Sequence, residues 1–286
     1  MAGPDLQSTT GRGELRFYDA HNHLQDERLD VFRRAAISSA AAAGVTQMVV
    51  NGSGEADWPA VAALAEVCPM VIPSFGYHPW YTRERTPAWQ QVLERFLKDW
   101  PSAGVGEIGL DRWIKDFDSV DQEGAFVPQL HLAAALNRPA SLHCLKAWGR
   151  LLEILKAEPL PACGFLLHSF GGPHAMISPL ADLGAYFSLP GYFAHERKAR
   201  QREAFRHVPA DRLLIETDAP DQLLPPERNH HPLADLASGK ALNHPANLRA
   251  VYEFASEFLN RPLRRLVDEV EVNFQRLFKP RERTSA

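Results

Sequence analysis

Leu15-Arg16-Phe17-Tyr18-Asp19-Ala20-His21-Asn22-His23 is an apolar and aromatic run that stops abruptly in polar side chains. If it is a strand, alternation puts Asp19, His21 and His23 on one face. Short apolar or β-branched runs return at 47–51, 70–76, 104–110, 140–143, 164–168, 185–189 and 212–216, which with 15–21 makes eight candidate strands. Helically spaced apolar residues fill the intervals, for example Val92, Phe96 and Leu97, or Leu151, Leu152 and Leu155. Strand and helix in strict alternation imply a parallel sheet. Eight repeats, with no Pro/Gly/Ser-rich linker and no shift in composition, favour an α/β protein built as a single (β/α)8 TIM barrel over an open doubly wound sheet. No glycine-rich phosphate loop follows the first strand.

The chain has 286 residues and 45% apolar side chains, enough to bury the core of one such barrel. We expect a loose N-terminal tail over residues 1–14 and the barrel over residues 15–280. Acidic and basic residues nearly balance at a net charge of −4, so there is no global positive field of the kind used by non-specific nucleic-acid binders. A phosphate-bearing substrate would have to be attracted locally. Cys68, Cys144 and Cys163 are odd in number and widely spaced, which suits buried thiols in a reducing compartment. With no signal-peptide core and no run of about 18 apolar residues, the expectation is a cytoplasmic protein without membrane contact.

Residues 219–247 break the rhythm, because Pro225-Pro226, Asn229-His230-His231-Pro232 and Asn243-His244-Pro245 interrupt any helix. A loop of that length is expected to be either a binding lid or disordered. His230, His231 and His244 are read as ordinary loop residues. Two amphipathic helices close the chain, one carrying Leu248, Val251, Tyr252, Ala255 and Leu259, the next Leu263, Leu266, Val267, Val270 and Phe274.

The chemistry sits at strand ends. His21 and His23 end the first strand, Glu107 lies in Val105-Gly106-Glu107-Ile108-Gly109-Leu110-Asp111, His143 and His168 end the fifth and sixth, and Leu213-Leu214-Ile215-Glu216-Thr217-Asp218 ends the eighth. Singly, each of these is as readily a cap or a core hydrogen-bonder. Glu107 could also pair with a nearby cation such as Arg112, and the glycines around it permit a close backbone approach. Barrel geometry changes the balance, since the C-terminal ends of all eight strands converge on one rim. Four histidines and two carboxylates there exceed the ligand set of one zinc and suit two divalent ions, of magnesium, manganese or zinc type.

These landmarks resemble the TatD family of metal-dependent hydrolases, within the amidohydrolase-like barrels. The resemblance spans nearly the whole chain: Asp19-Ala-His21-Asn-His23-Leu24, Gly76-Tyr-His78-Pro79, Gly106-Glu107-Ile-Gly-Leu-Asp111, Gln129-Leu-His-Leu-Ala133, Ser141-Leu-His143, His168-Ser-Phe-Gly-Gly172, Glu216-Thr-Asp218-Ala-Pro220 and Asn273-Phe-Gln-Arg-Leu-Phe278. It implies a metal-dependent phosphodiesterase acting on DNA or RNA, often as a 3′ exonuclease. By the same resemblance His21 and His23 would bind one ion, Glu107 would bridge two, His143 and His168 would bind the second, and Asp218 would ligate and activate water. Glu107 stands where the carbamylated-lysine branch of these barrels has its lysine, which argues against that branch.

The surroundings depart from the family pattern. Arg112 replaces a tyrosine, Cys144-Leu145-Lys146 replaces a small residue followed by Arg and Glu, Ala219 replaces a serine, and Asp221 stands where an aromatic is common. Arg112 and Lys146 are read as phosphate clamps or as solvated rim charges. His78 is read either as a phosphate contact or as a core histidine fixing its turn. Two other readings stay open: hydrolysis of a small amide, lactone or phosphoester on the same ions, and a nuclease-like subunit that needs protein partners in a larger nucleic-acid processing or defence assembly. A non-catalytic binding role is the third. Oligomeric state leaves no mark in the sequence.

Overall fold

The computed structural model describes residues 14–279, so the tail expected over residues 1–14 lies, apart from Glu14, outside the described residues. The strands are β1 (Phe17–Asn22), β2 (Val45–Asn51), β3 (Val71–Phe75), β4 (Gly104–Asp111), β5 (Ala140–Leu145), β6 (Phe165–Leu167), β7 (Ala185–Pro190) and β8 (Leu213–Glu216). The helices are α1 (Arg33–Ala42), α2 (Trp58–Val67), α3 (Trp89–Asp99), α4 (Ser119–Leu136), α5 (Trp148–Ala157), α6 (Ile177–Asp182), α7 (Ala199–Glu203), α8 (Leu248–Leu259) and α9 (Leu263–Phe278). The eight strands run parallel in sequence order. At the seam, the His23 N–H donates to the Ala219 carbonyl at 2.7 Å and the Asp218 N–H to the His21 carbonyl at 3.0 Å. The fold is thus the (β/α)8 barrel, with every expected strand found to within two residues of its limits.

Burial explains why each strand reads as a nearly unbroken apolar run: β1, β3, β4, β6, β7 and β8 are buried along their whole length, packed by helices outside and by one another inside. α8 and α9 bury the apolar faces expected of them, including Leu248, Val251, Tyr252 and Ala255 on the first and Leu266, Val267, Val270 and Phe274 on the second. Asn273 of α9 donates through its amide to the carbonyls of Ala210 and Leu213, which fixes the start of β8.

Two glutamines on one face of α4, seven residues apart, hold the mouth of the barrel. Gln122 accepts from the Asp111 N–H at 2.9 Å and donates to the Asp111 carbonyl at 2.9 Å, while Gln129 accepts from the Tyr77 N–H at 2.7 Å. The ends of β4 and β3 are thereby pinned where Asp111 and His78 must stand. The loop over residues 219–247 has its own structure, with a short hairpin pairing Leu233–Ala234 against Ala241–Leu242 and the buried Asn243 amide donating to the Thr217 carbonyl at 2.8 Å. Among the described residues no helix is long and apolar enough to cross a membrane.

The glycines flanking Glu107 admit a neighbouring backbone. Gly109 has φ +142°, and a Cβ there would lie 2.0 Å from the His143 carbonyl oxygen. We predict that Gly109→Ala costs about 3 kcal/mol or more, combining overpacking with a backbone conformation closed to alanine. Chemical denaturation checks this; a midpoint matching that of the wild type would show that β4 and β5 can separate at no cost.

Candidate metal centre

All six strand-end residues meet at the mouth of the barrel, around the carboxylate of Glu107, which is only 2% exposed. Its Oε2 lies 3.2 Å from His21 Nε2 and 3.1 Å from His23 Nε2. Its Oε1 lies 2.9 Å from His143 Nδ1 and 2.8 Å from His168 Nε2. One carboxylate therefore faces a different pair of imidazoles with each oxygen. Asp218 Oδ1 adjoins the first pair, at 3.7 Å from His21 Nε2 and 3.6 Å from His23 Nε2. The rings of His21 and His168 stack at 4.0 Å, joining the two halves.

Whether these atoms fit divalent ions is decided by spacing and by tautomer. Four donors arranged tetrahedrally at about 2.0–2.1 Å from one ion lie about 3.3–3.4 Å from one another. His21 Nε2, His23 Nε2 and Glu107 Oε2 are 3.1 to 3.3 Å apart, and Asp218 Oδ1 stands 3.6 to 3.7 Å from the two imidazole nitrogens. The outer ring nitrogens set which inner nitrogens carry lone pairs. His23 Nδ1–H donates to the Asn51 carbonyl at 2.8 Å, and His143 Nε2–H donates to Asp111 Oδ2 at 2.9 Å, so in each ring, once neutral, the nitrogen facing Glu107 is the one that carries the lone pair. His21 Nδ1 lies 3.1 Å from the Asn51 amide nitrogen, whereas the buried Asn51 Oδ1 has no partner. Turning that amide over, which exchanges its oxygen and nitrogen, would give His21 Nδ1–H an acceptor and free its Nε2 as well. The donor set fits.

His78 differs. Its Nδ1 accepts the Trp80 N–H at 3.2 Å, so its Nε2, 3.3 Å from Glu107 Oε1, carries the proton and is a donor. Burial lowers its pKa to about 4, keeping that donor neutral.

Electrostatics agree with a cation-seeking pocket. Burial alone would raise the Glu107 pKa, yet the neighbouring His168, His78 and His21 hold it well below the usual carboxylate range. Burial would lower His23, but hydrogen bonding to Glu107 raises it to about 9, a proton doing there what a metal cation could do. Burial pushes Asp218 up to about 7.

Several supporting residues escaped the reading of the sequence. Buried Glu216 accepts from the Ser169 N–H at 2.8 Å and from the Ser169 and Ser188 hydroxyls, and its Oε1 lies 3.8 Å from His168 Nδ1. Gln222 donates to Asp218 Oδ2 at 2.6 Å, leaving Oδ1 toward the histidines. Asp19, whose pKa burial raises to about 7, takes the N–H and hydroxyl of Thr217 and so locks β1 to β8 below the site. Glu216 and Asp111 lie within motifs already quoted, and their burial inside apolar strands was the usable signal; Gln222 sits in a loop and gave none. Arg112 and Lys146 stand apart from the cluster. The Arg112 charge acts on Glu123 and Cys144, and Lys146 is exposed with φ +54°; among the described residues neither side chain bonds to a cluster atom.

The model of the TatD-related DNases matches residues 18–279. The chain belongs to that family. It is 31% identical over 246 residues to the 3′-5′ ssDNA/RNA exonuclease TatD of Klebsiella pneumoniae, covering 85% of this chain and 90% of that one. It is 32% identical over 208 residues to YcfH of Escherichia coli, named an uncharacterized metal-dependent hydrolase, covering 73% of this chain and 74% of the relative. The crystal structure of the TatD homologue YJJV from E. coli superposes with a TM-score of 0.83 at 26% identity, covering 93% of this chain and 99% of the other. Family, barrel and buried His/Glu groups together make this a metal-dependent hydrolase.

Proposed function

We propose that the chain is a phosphodiesterase that shortens single-stranded DNA or RNA from the 3′ end. The observation that carries it is Glu107, a single buried carboxylate offering each oxygen to its own pair of imidazole nitrogens, which suits two divalent ions sharing one bridge. The exonuclease activity named for the Klebsiella relative supports the choice of substrate. Bound there, divalent ions would acidify a water and offset the negative charge that builds on a phosphate oxygen.

Each residue then has its own part. His21, His23 and Asp218 would hold one ion, His143 and His168 the other, and Glu107 would serve both. Asp218, held at about 7 by burial and oriented by Gln222, takes a proton from attacking water. His78, a neutral Nε2–H donor, bonds a substrate phosphate oxygen. Arg112 and Lys146 act at most on more distant phosphates. The ion-pair partners of the pocket are all histidine, with no lysine or arginine among the described contacts, so bound ions would supply the positive charge at the phosphate.

Purified protein incubated with 5′-labelled single-stranded DNA and Mg²⁺ or Mn²⁺ is expected to produce a ladder shortening from the 3′ end, abolished by chelator and restored by added ion. Intact oligonucleotide beside turnover of a small lactone, amide or phosphoester would overturn the reading.

A further inference from the structure

Asp111 carries more than a metal ligand. It is wholly buried, and besides taking the His143 Nε2–H it accepts the indole N–H of Trp80 at 2.7 Å on the same oxygen. Its other oxygen accepts the backbone N–H of Trp113 at 2.6 Å. Both tryptophans are nevertheless open to solvent, Trp80 by 46% and Trp113 by 61%. Single exposed aromatics need no explanation. Two anchored on one buried carboxylate beside the reacting cluster do. The Trp80 ring lies 5.1 Å from the His78 ring, perpendicular to it, and 6.4 Å from that of His143. Tied at its nitrogen, the indole cannot fold away, so it presents a rigid face at the mouth of the barrel.

We propose that Trp80, with Trp113 on the loop after β4 as a second exposed indole, is a stacking platform for the nucleobase next to the scissile bond; this rests on the nucleic-acid reading above and names the part of the substrate recognised. An indole face stacks on a flat aromatic ring, and every base has one, so the platform favours single strands with little sequence preference. Charge agrees with such an occupant, since Arg112 and Lys115 lie on the loop after β4 and Lys146 on the loop after β5, offering cations for the flanking backbone against Asp116 and Asp118 nearby. A duplex cannot use the platform, because its bases already stack on each other. The Asp111 link also means that the indole and His143 share one hydrogen-bonding partner, so base and phosphate are located from the same point.

The test compares wild type, Trp80→Leu, Trp80→Phe and Trp113→Leu on a labelled single-stranded oligonucleotide and on the same strand with an abasic unit in the terminal or penultimate position. Trp80→Leu is expected to raise KM on the normal strand about tenfold or more, the scale of one lost base–aromatic stack. The abasic unit should cost the wild type a similar factor, and the two losses together should be no larger than either alone, as for two halves of one contact. Trp80→Phe, which keeps a stacking face but loses the bond to Asp111, should recover most of the loss in KM. Strictly additive losses, or a fall in kcat with bound metal lost and KM unmoved, would overturn the platform and make Trp80 a prop for Asp111. Wild-type protein that cuts neither strand would instead sink the nuclease reading on which the platform depends.

Discussion

Glu107→Ala is expected to reduce cleavage of single-stranded DNA by about 10³-fold or more, at the upper end of what removal of one preorganised charge-stabilising group costs. The expectation is large because no other side chain substitutes for it. Glu107 faces His21 and His23 with one oxygen and His143 and His168 with the other, so its loss weakens both halves of the centre at once. Asp218 stands 3.6 Å and 3.7 Å from the first pair and is bonded to Gln222 on its far side. Metal content measured by mass spectrometry should fall with activity. Glu107→Gln separates charge from shape: the amide keeps the volume yet cannot serve as a shared anion, and it should lie close to the alanine variant in rate. Equal degradation by wild type and Glu107→Ala would remove Glu107 from the chemistry.

What the sequence showed about this molecule follows from what is periodic in it. Strands buried on both faces leave apolar runs of a few residues, and polar side chains mark where each run reaches the rim; hence Phe17–Asn22 and Leu213–Glu216 were readable with small errors at their ends. The convergence of His21, His143 and Asp218 needed only the topology of the barrel. Gly109 was legible as a place of close approach, though not that the approaching atom is the His143 carbonyl.

The side-chain orientations were not legible. Asn51 and Ser141, both within hydrogen-bonding range of His21 Nδ1, are polar residues in largely apolar strands and could have faced anywhere. Ser169, Asp218 and Gln222 all have positive φ without being glycine, so no residue type announces the bends that bring them together. Trp80 and Asp111 are linked across 31 positions by one indole bond, which no spacing rule anticipates. His78 illustrates the same point more sharply: its Nδ1 fixes its own turn, as one of the two sequence readings has it, while its Nε2 reaches Glu107, a contact that neither reading named.

Asp218→Asn is expected to lower kcat by about 10²–10⁴-fold, the usual contribution of a positioned acid–base group. Asparagine isolates the chemistry from the fold. Asp218 sits at φ +53°, a conformation asparagine tolerates better than most residues, and the amide oxygen can still accept from Gln222. The same variant should be more stable than the wild type once metal is removed, and increasingly so across one pH window. In the unfolded chain the carboxyl loses its proton near the ordinary value of 3.8, while in the folded chain burial holds it to about 7. Between those values folding requires proton uptake, so raising the pH costs the wild type stability that asparagine, which does not titrate, keeps. Melting curves of chelator-treated proteins check this: the Tm advantage of Asp218→Asn should grow as pH rises from about 4 to about 7 and level off above. A constant Tm difference would show that Asp218 is not held protonated by its surroundings. Added Mn²⁺ should then reverse the order, since the wild type has a second anion beside Glu107 to draw the ion in, and the residue that burial makes costly is the one whose cost the bound cation offsets.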